Sequence, residues 1–517
     1  MKQRDIYLLT GLLFFGALFA CKDNNKHNPR SNFQQQKIKL GKQLAARYCQ
    51  SCHLLPDPSL LDKNSWTTGV LPNMGPRLGI FQYFGVYPSS RTDKNLPANF
   101  YPPKPVIDVD EWQNIFYYYA TQSPDTLQAQ HRQYPIQMRL ATFSVQYPRF
   151  KYNRPASTYV KIATGQSAPS LIVGDALRRI LYFFNSRLQI SDSVHCSSPV
   201  VDIEFTQQQM LACEIGNLNP NNGKSGKGKF LNRINGKLQE DSAALFDSLM
   251  RPVQITSADL NKDGRTDYLV CEFGNLVGAL SWMENLGNNK FSRHTLRPVP
   301  GAIKACIDDY NHDGLPDIWV LFAQGEEGVF LFTNMGSGNF SAQEVLRFPP
   351  AYGSSSFELD DFNHDGYPDI LYTCGDNADF SPVLKPYHGV YIFLNDGTNH
   401  FVKKFFFPIN GCYKAIARDF DGDGDLDVAT ISFFADYKNQ PEEGFVYLEN
   451  KGNFDFHPYS LPEAESGRWL TMDAGDINGD GKIDIILGNF SVGPSPIKSK
   501  VNWQQSPPFL VLKNTGR

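Results

Sequence analysis

The chain has 517 residues, enough for more than one domain, and a net charge of −4 that argues against a nucleic-acid partner. Aromatic residues at 13% and 34 prolines suit a β-rich protein of an exported compartment.

Residues 1–20 open with Lys2 and Arg4, run apolar from Ile6 to Ala20, and end at Leu18-Phe19-Ala20-Cys21. This pattern resembles a bacterial lipoprotein signal, which implies cleavage before Cys21 and attachment of diacylglycerol to its sulfur. The apolar run is too short to span a bilayer comfortably as an anchor. Lys22 and Asp23 resemble the short charged signal that directs some lipoproteins to the outer face of the outer membrane. The expected address is therefore an outer membrane lipoprotein on its periplasmic or cell-surface side, with membrane contact through the lipid. Residues 21–36 are polar and read as a tether.

GKQLAARYCQSCH follows, a helical stretch running into Cys49, Cys52 and His53. The CxxCH spacing is the covalent attachment motif of a c-type haem, with two thiols for the vinyl groups and His53 as proximal ligand. A thioredoxin-like CxxC lacks its βαβ context here, and a zinc site lacks a second ligand pair, since the next cysteine is Cys196. Met74 is the candidate sixth ligand, with His131 and Met138 as alternatives; a Met/His pair raises the reduction potential. The stretch from Asp110 to Gln122 places Trp112, Ile115, Phe116 and Tyr119 at helical spacing and ends the segment. Residues 37–122 resemble a small class I cytochrome c domain, which implies one covalent haem c. A linker is expected over 123–135.

The second half carries five acidic stretches: DLNKDGRTD from Asp259, DYNHDGLPD from Asp309, DFNHDGYPD from Asp361, DFDGDGDLD from Asp419 and DINGDGKID from Asp476. Oxygen donors stand at positions 1, 3, 5 and 9 and a glycine at 6, the pattern of a loop that wraps a hard cation. The expected Ca2+ ligands are Asp259, Asn261, Asp263 and Asp267; Asp309, Asn311, Asp313 and Asp317; Asp361, Asn363, Asp365 and Asp369; Asp419, Asp421, Asp423 and Asp427; and Asp476, Asn478, Asp480 and Asp484. An EF-hand is excluded, because position 12 holds Val270, Val320, Tyr372, Thr430 or Leu487 instead of a glutamate. A short apolar run follows each loop, so the loops join strands. They recur every 50, 52, 58 and 57 residues, the spacing of a repeat. A second shared element, such as VYIFLNDGTNHF from Val390, reads as a strand, an Asn and Gly hairpin turn, and another strand. A four-stranded unit of this length is a propeller blade.

Together these motifs resemble the FG-GAP/VCBS repeat family, the calcium-loop propellers that include the integrin α-subunit head. The resemblance implies up to five bound Ca2+ and a seven-bladed propeller over 136–517, its first two blades lacking the acidic loop. The last blade runs out of chain after FLVLKNTG, so residues 136–146 are expected to supply its outer strand. The fold class expected overall is multidomain, a small all-α cytochrome c domain followed by an all-β seven-bladed propeller.

Six cysteines remain, an even number in an exported protein, and disulfides Cys196–Cys213, Cys271–Cys306 and Cys374–Cys412 are expected. The longest loops share the propeller face opposite the acidic loops, where binding is expected. Arg251, Lys304, Lys414 and Arg468 fall near its channel mouth and read as a cationic cluster. No nucleophile, base and orienter set is readable. The expected function is one-electron transfer by a membrane-anchored mono-haem cytochrome, its propeller docking a redox partner protein or a small-molecule or glycan ligand. Two alternatives are an adhesion propeller with an ancillary or sensory haem, and an oxidoreductase with its substrate on the long-loop face.

Overall fold

The computed structural model describes residues 29–81, 89–163, 170–206, 209–378, 380–493, 495 and 497–516. The expected signal over 1–20 and Cys21 lie outside them.

Among the described residues three α-helices come first: α1 (Pro29–Tyr48), α2 (Leu71–Met74) and α3 (Val109–Gln122). Helix α1 begins inside the stretch expected to be a tether, eight residues before Lys37. It crosses α3 at Gly41, where a Cβ would meet Asn114 O at 2.2 Å, so only glycine allows the two backbones to approach this closely. Asp108 and Glu111 form a reciprocal capping box that starts α3. The face of α3 that carries Trp112, Ile115 and Tyr119 is buried against Leu44, Ala45, Trp66 and Leu71.

Seven antiparallel sheets follow as blades, their strands within residues 157–195, 200–249, 252–297, 302–347, 354–408, 412–459 and 469–514. The second strand of each blade that carries an acidic loop, such as Asp267–Glu272 or Asp317–Phe322, is buried along its whole length. Each lies between two neighbouring blades, so both faces are covered and the sequence runs apolar without alternation.

The seventh blade takes its fourth strand from far upstream. Phe143–Gln146 pairs antiparallel with Phe509–Asn514, Phe143 opposite Asn514 and Gln146 opposite Val511. This pairing covers the edge of Phe509–Asn514 and completes the last blade with chain from ahead of the first. The strand is shorter than the 136–146 expected. Residues ahead of it cover blade six instead: Ile136 packs on the core between blades five and six, and Gln137 N donates to Pro458 O at 3.0 Å. The expected linker is likewise bound down. Gln130 Nε2 donates to Lys385 O at 3.0 Å and His388 O at 2.9 Å, and Arg132 pairs with Glu443.

Around the channel, inner-strand side chains accept backbone N–H groups of the next blade. Asp202 accepts from Ile255 at 3.3 Å, Gln254 from Ala305 at 2.6 Å and Glu358 from Ala417 at 3.2 Å. Asp473 accepts from Ile162 at 2.8 Å and so ties blade seven to blade one. Buried backbone donors are thereby satisfied across each of these seams.

Two expectations follow. Phe143 packs its ring 5.7 Å from those of Phe420 and Tyr447, so Phe143→Ala should cost about 3 kcal/mol, read as a lowered urea midpoint. The second concerns Glu327, whose carboxyl is pushed up to about 8, mainly by burial. Its unfolded value is about 4.3, so between these limits the folded state holds a proton that the unfolded chain lacks, and stability falls as pH rises. In saturating calcium, Glu327→Gln should flatten the decline in Tm from pH 5 to pH 8.

Candidate functional site

The acidic loops join the innermost strand to the second strand in blades three to seven, and all lie on one rim with the turns that follow the third strands. Local backbone geometry organises each loop. The first aspartate accepts the N–H of the glycine at position 6: Asp259 from Gly264 at 2.9 Å, Asp309 from Gly314 at 2.9 Å, Asp361 from Gly366 at 2.8 Å, Asp419 from Gly424 at 3.1 Å and Asp476 from Gly481 at 2.7 Å. These glycines take φ of 82° to 98°, which favours glycine on torsional grounds, since space for a Cβ is open at every one. Position 4 is left-handed too, at Lys262, His312, His364, Gly422 and Gly479.

The donors converge. Asp419, Asp421 and Asp423 each offer an oxygen within 4.8 Å of the others. In the second loop, Asp309 Oδ1 and Asp317 Oδ2 are buried with no hydrogen-bond partner. Repelling carboxylates and orphaned buried oxygens with an all-oxygen donor set fit a hard divalent cation.

Position 9 has a second duty that the sequence alone did not reveal. Asp267 Oδ1 accepts from Asn285 N at 2.7 Å and its Oδ2 from Leu260 N at 3.2 Å. The same link to the asparagine ending the third strand recurs at Asp317 and Asn334, Asp369 and Asn395, Asp427 and Asn450, and Asp484 and Asn514. Each asparagine then accepts the N–H of the glycine two residues on, as Gly287 to Asn285 at 2.9 Å. The turn's positive φ falls on this glycine and on residues after it, while the asparagine stays in the strand. The asparagine of the repeat is thus a bracket between acidic loop and hairpin. Its signal was its recurrence at one place in every repeat.

The opposite rim carries the helical domain. Tyr387 Oη donates to Leu60 O at 3.0 Å, and Asn222 Nδ2 donates to Asp93 Oδ2 at 2.8 Å. A Cβ on Gly69 would meet Phe380 O at 2.1 Å, and Ala351 and Val383 pack onto the helical core. The long loops of blades two and five are therefore used to hold this domain.

Within that domain the CxxCH stretch closes α1. Cys49 N donates to Ala45 O at 2.8 Å, and Cys49 lies half-buried against the same core as Met74, with its thiol pushed up to about 11 by burial. Cys52 is exposed. His53 Nδ1 sits 2.9 Å from Leu54 O, which assigns the proton to Nδ1 and leaves Nε2 as the lone-pair nitrogen. Tyr119 Oη to Pro56 O and Trp66 Nε1 to Pro58 O, both at 2.9 Å, pin the segment that follows. Of the candidate sixth ligands, Met74 shares the core with Cys49, whereas His131 and Met138 are exposed. Two thiols, a histidine with an available Nε2 and a thioether fit the donor set of a c-type haem.

Two expectations are corrected. Cys196, Cys213, Cys271, Cys306, Cys374 and Cys412 are all free. Cys196 lies between blades one and two and Cys213 between two and three; Cys271 lies between three and four and Cys306 against the core between four and five. Cys374 and Cys412 are likewise in the cores on either side of blade five. One sheet separates the members of every expected pair, because alternate residues of a strand face opposite sides. The cationic cluster also dissolves. Arg468 donates to Phe433 O and Val492 O, both at 3.1 Å, and Arg251 donates to Leu218 O at 3.0 Å. Lys304 lies 3.6 Å from Glu358, and burial pushes the Lys414 ammonium down to about 8.

Seven four- or five-stranded blades around a channel, with acidic loops on one rim, define a β-propeller of the repeat-loop class. Residues 259–320, 309–372 and 419–487 match the family of FG-GAP-like repeats, so this seven-bladed propeller carries FG-GAP-like repeats. Solved structures similar to the chain include BBS1N in complex with ARL6DN, at 9% identity and a TM-score of 0.44, covering 73% of this chain and 97% of that one. Another is Saccharomyces cerevisiae Sqt1, at 7% identity and a TM-score of 0.44, covering 73% of this chain and all of that one.

Ligand binding to the folded state alone adds about 2.7 kcal/mol per site at a hundredfold excess over Kd. Calcium should therefore raise Tm, and Asp423→Ala should remove part of that gain without altering the helical domain. Equal melting temperatures in calcium and in EDTA would exclude a stabilising ion.

Proposed function

We propose that the chain is a one-electron carrier, in which the helical segment holds one haem c and a calcium-stiffened propeller holds that segment. The observation that carries this reading is the CxxCH turn at the end of α1, with the His53 tautomer set by Leu54 O and Met74 on the same core as Cys49. Cys49 and Cys52 would hold the haem covalently through their sulfurs, and His53 and Met74 would ligate its iron. The haem would supply a one-electron iron couple. The protein's own contribution is a rigid, mostly apolar setting: Trp66, Trp112 and Tyr119 exclude water on the core side, and the Pro56 and Pro58 carbonyls are tied down. Rigid ligation limits reorganisation on electron transfer. In this reading Cys21 carries the lipid that keeps the carrier at the outer membrane, and a redox partner protein docks beside the haem.

A second reading, a surface-binding propeller, is favoured by residues 497–508, which lead into the third strand of blade seven. There Trp503 packs 4.6 Å from Tyr437 and donates to Glu465 O at 3.1 Å, giving a loop ordered enough to present a ligand site.

Optical spectra of the purified protein, oxidised and dithionite-reduced, separate the two. Electron transfer requires a low-spin six-coordinate haem with the weak red band of methionine ligation, lost in Met74→Ala. Cys52→Ser should abolish two-thioether attachment and leave the propeller's melting transition in place. Normal haem incorporation in Cys52→Ser, or a haem-free wild type from a host able to attach haem c, would overturn the carrier reading.

A further inference from the structure

Blade two lacks an acidic loop, yet it gathers a different donor set on the opposite rim. Cys196 follows the outer strand of blade one, Glu214 ends the strand Met210–Glu214, and Glu240 ends the strand Lys237–Glu240. One ligand atom from each lies within 4.8 Å of the other two. Cys196 and Glu214 are buried, at 6% and 0% exposure. The thiol's partners are backbone groups of blade one, Val194 O at 3.9 Å and the N–H of Leu181. The carboxylates are held in place by Ser197 Oγ on Glu214 at 2.7 Å, Ser197 N on Glu240 at 2.9 Å and Ser198 N on Glu214 at 3.2 Å.

The equivalent glutamate of blade three shows what an ordinary structural carboxylate does here. Glu272 is matched by Arg293, with Ser281 Oγ at 2.7 Å and Met250 N at 2.8 Å. In blade two the facing group is a second carboxylate. Lys229 Nζ, 2.6 Å from Glu240, supplies one positive charge for two carboxyls and a thiol. A buried cluster must balance its charge. With one proton on the carboxyl pair and one on sulfur, the sum with Lys229 is zero. With both protons gone and one divalent ion in their place, three negative donors, the lysine and the ion again sum to zero.

We propose that Cys196, Glu214 and Glu240 bind a divalent cation of the zinc type. One sulfur and two carboxylate oxygens suit zinc, with water completing a tetrahedron, whereas calcium takes oxygen alone. Binding exchanges two protons for one ion: the thiol proton and the carboxyl proton leave to solvent, a sulfur–metal bond and two oxygen–metal bonds form, and no electron is transferred. The site is independent of the haem and of the acidic loops, which stand on the other rim.

Cobalt(II) is the probe, since a cobalt–thiolate bond gives near-ultraviolet charge-transfer absorption. The full chain is used as the Cys49→Ala/Cys52→Ala variant in excess calcium, which removes the other thiol–histidine set and fills the oxygen loops. The expected result is a cobalt–thiolate band at one equivalent, release of two protons per cobalt, and displacement by zinc. Cys196→Ser should abolish the band, and Glu240→Gln, on a partly exposed outer strand, should weaken cobalt at least tenfold while keeping the melting transition. Asp423→Ala should leave the band unchanged. No band at millimolar cobalt, the same band in Cys196→Ser, or full affinity in Glu240→Gln would each overturn the site.

Discussion

The pairing of Phe143–Gln146 with Phe509–Asn514 is the interaction on which the rest of the molecule depends. The seventh blade has only three strands of its own, so the edge of Phe509–Asn514 stays bare unless chain from elsewhere pairs with it. Here the completing strand comes from between the helical domain and the first blade, so the N-terminal segment is drawn across the ring. Gln130, Arg132 and Gln137 bind to blades five and six on the way. The helical domain is thus delivered to one rim by the same stretch that closes the ring. The carboxylates of Asp202, Glu358 and Asp473 then stitch inner strands to one another around the channel.

On the other rim, each acidic loop is tied into its blade by an aspartate and an asparagine acting together. Asp267 and its four counterparts receive the backbone of the third strand, and the asparagine there fixes the hairpin glycine. Asn334 and Asn514 also reach the preceding blade, donating to Leu260 O at 2.8 Å and Phe420 O at 2.7 Å. A cation placed in such a loop would stiffen a bracket that already spans two hairpins and, at these seams, two blades.

The two rims consequently do different work. The rim with the longest loops, where an external ligand would ordinarily be sought, is partly covered by the chain's own helices, with Tyr387, Phe380 and Asn222 as contacts. The cations that looked free there are held by carbonyls and a carboxylate. Arg468 stacks 3.6 Å over Phe433 and is spent on positioning backbone.

Much of this was legible in the sequence because it is local. The recurrence of an acidic nonapeptide ahead of an apolar run marked FG-GAP-like repeats and, by count, seven blades. Strand identity followed from uninterrupted apolar runs such as DIWVLF. The disulfides were misread, since pairing two cysteines requires knowing which face of a sheet each side chain takes, and a sheet came to lie between every expected pair. The cationic cluster was misread for a related reason: charge is visible in sequence, and the carbonyls that surround Arg251 and Arg468 are not. The sequence by itself determined the repeat and the acidic loops, because each is a short-range pattern that recurs at a near-constant spacing. Tertiary structure alone decided the closing strand's register, the docking of the helices and the meeting of Cys196, Glu214 and Glu240. These depend on contacts between residues tens to hundreds of positions apart, which no local pattern encodes.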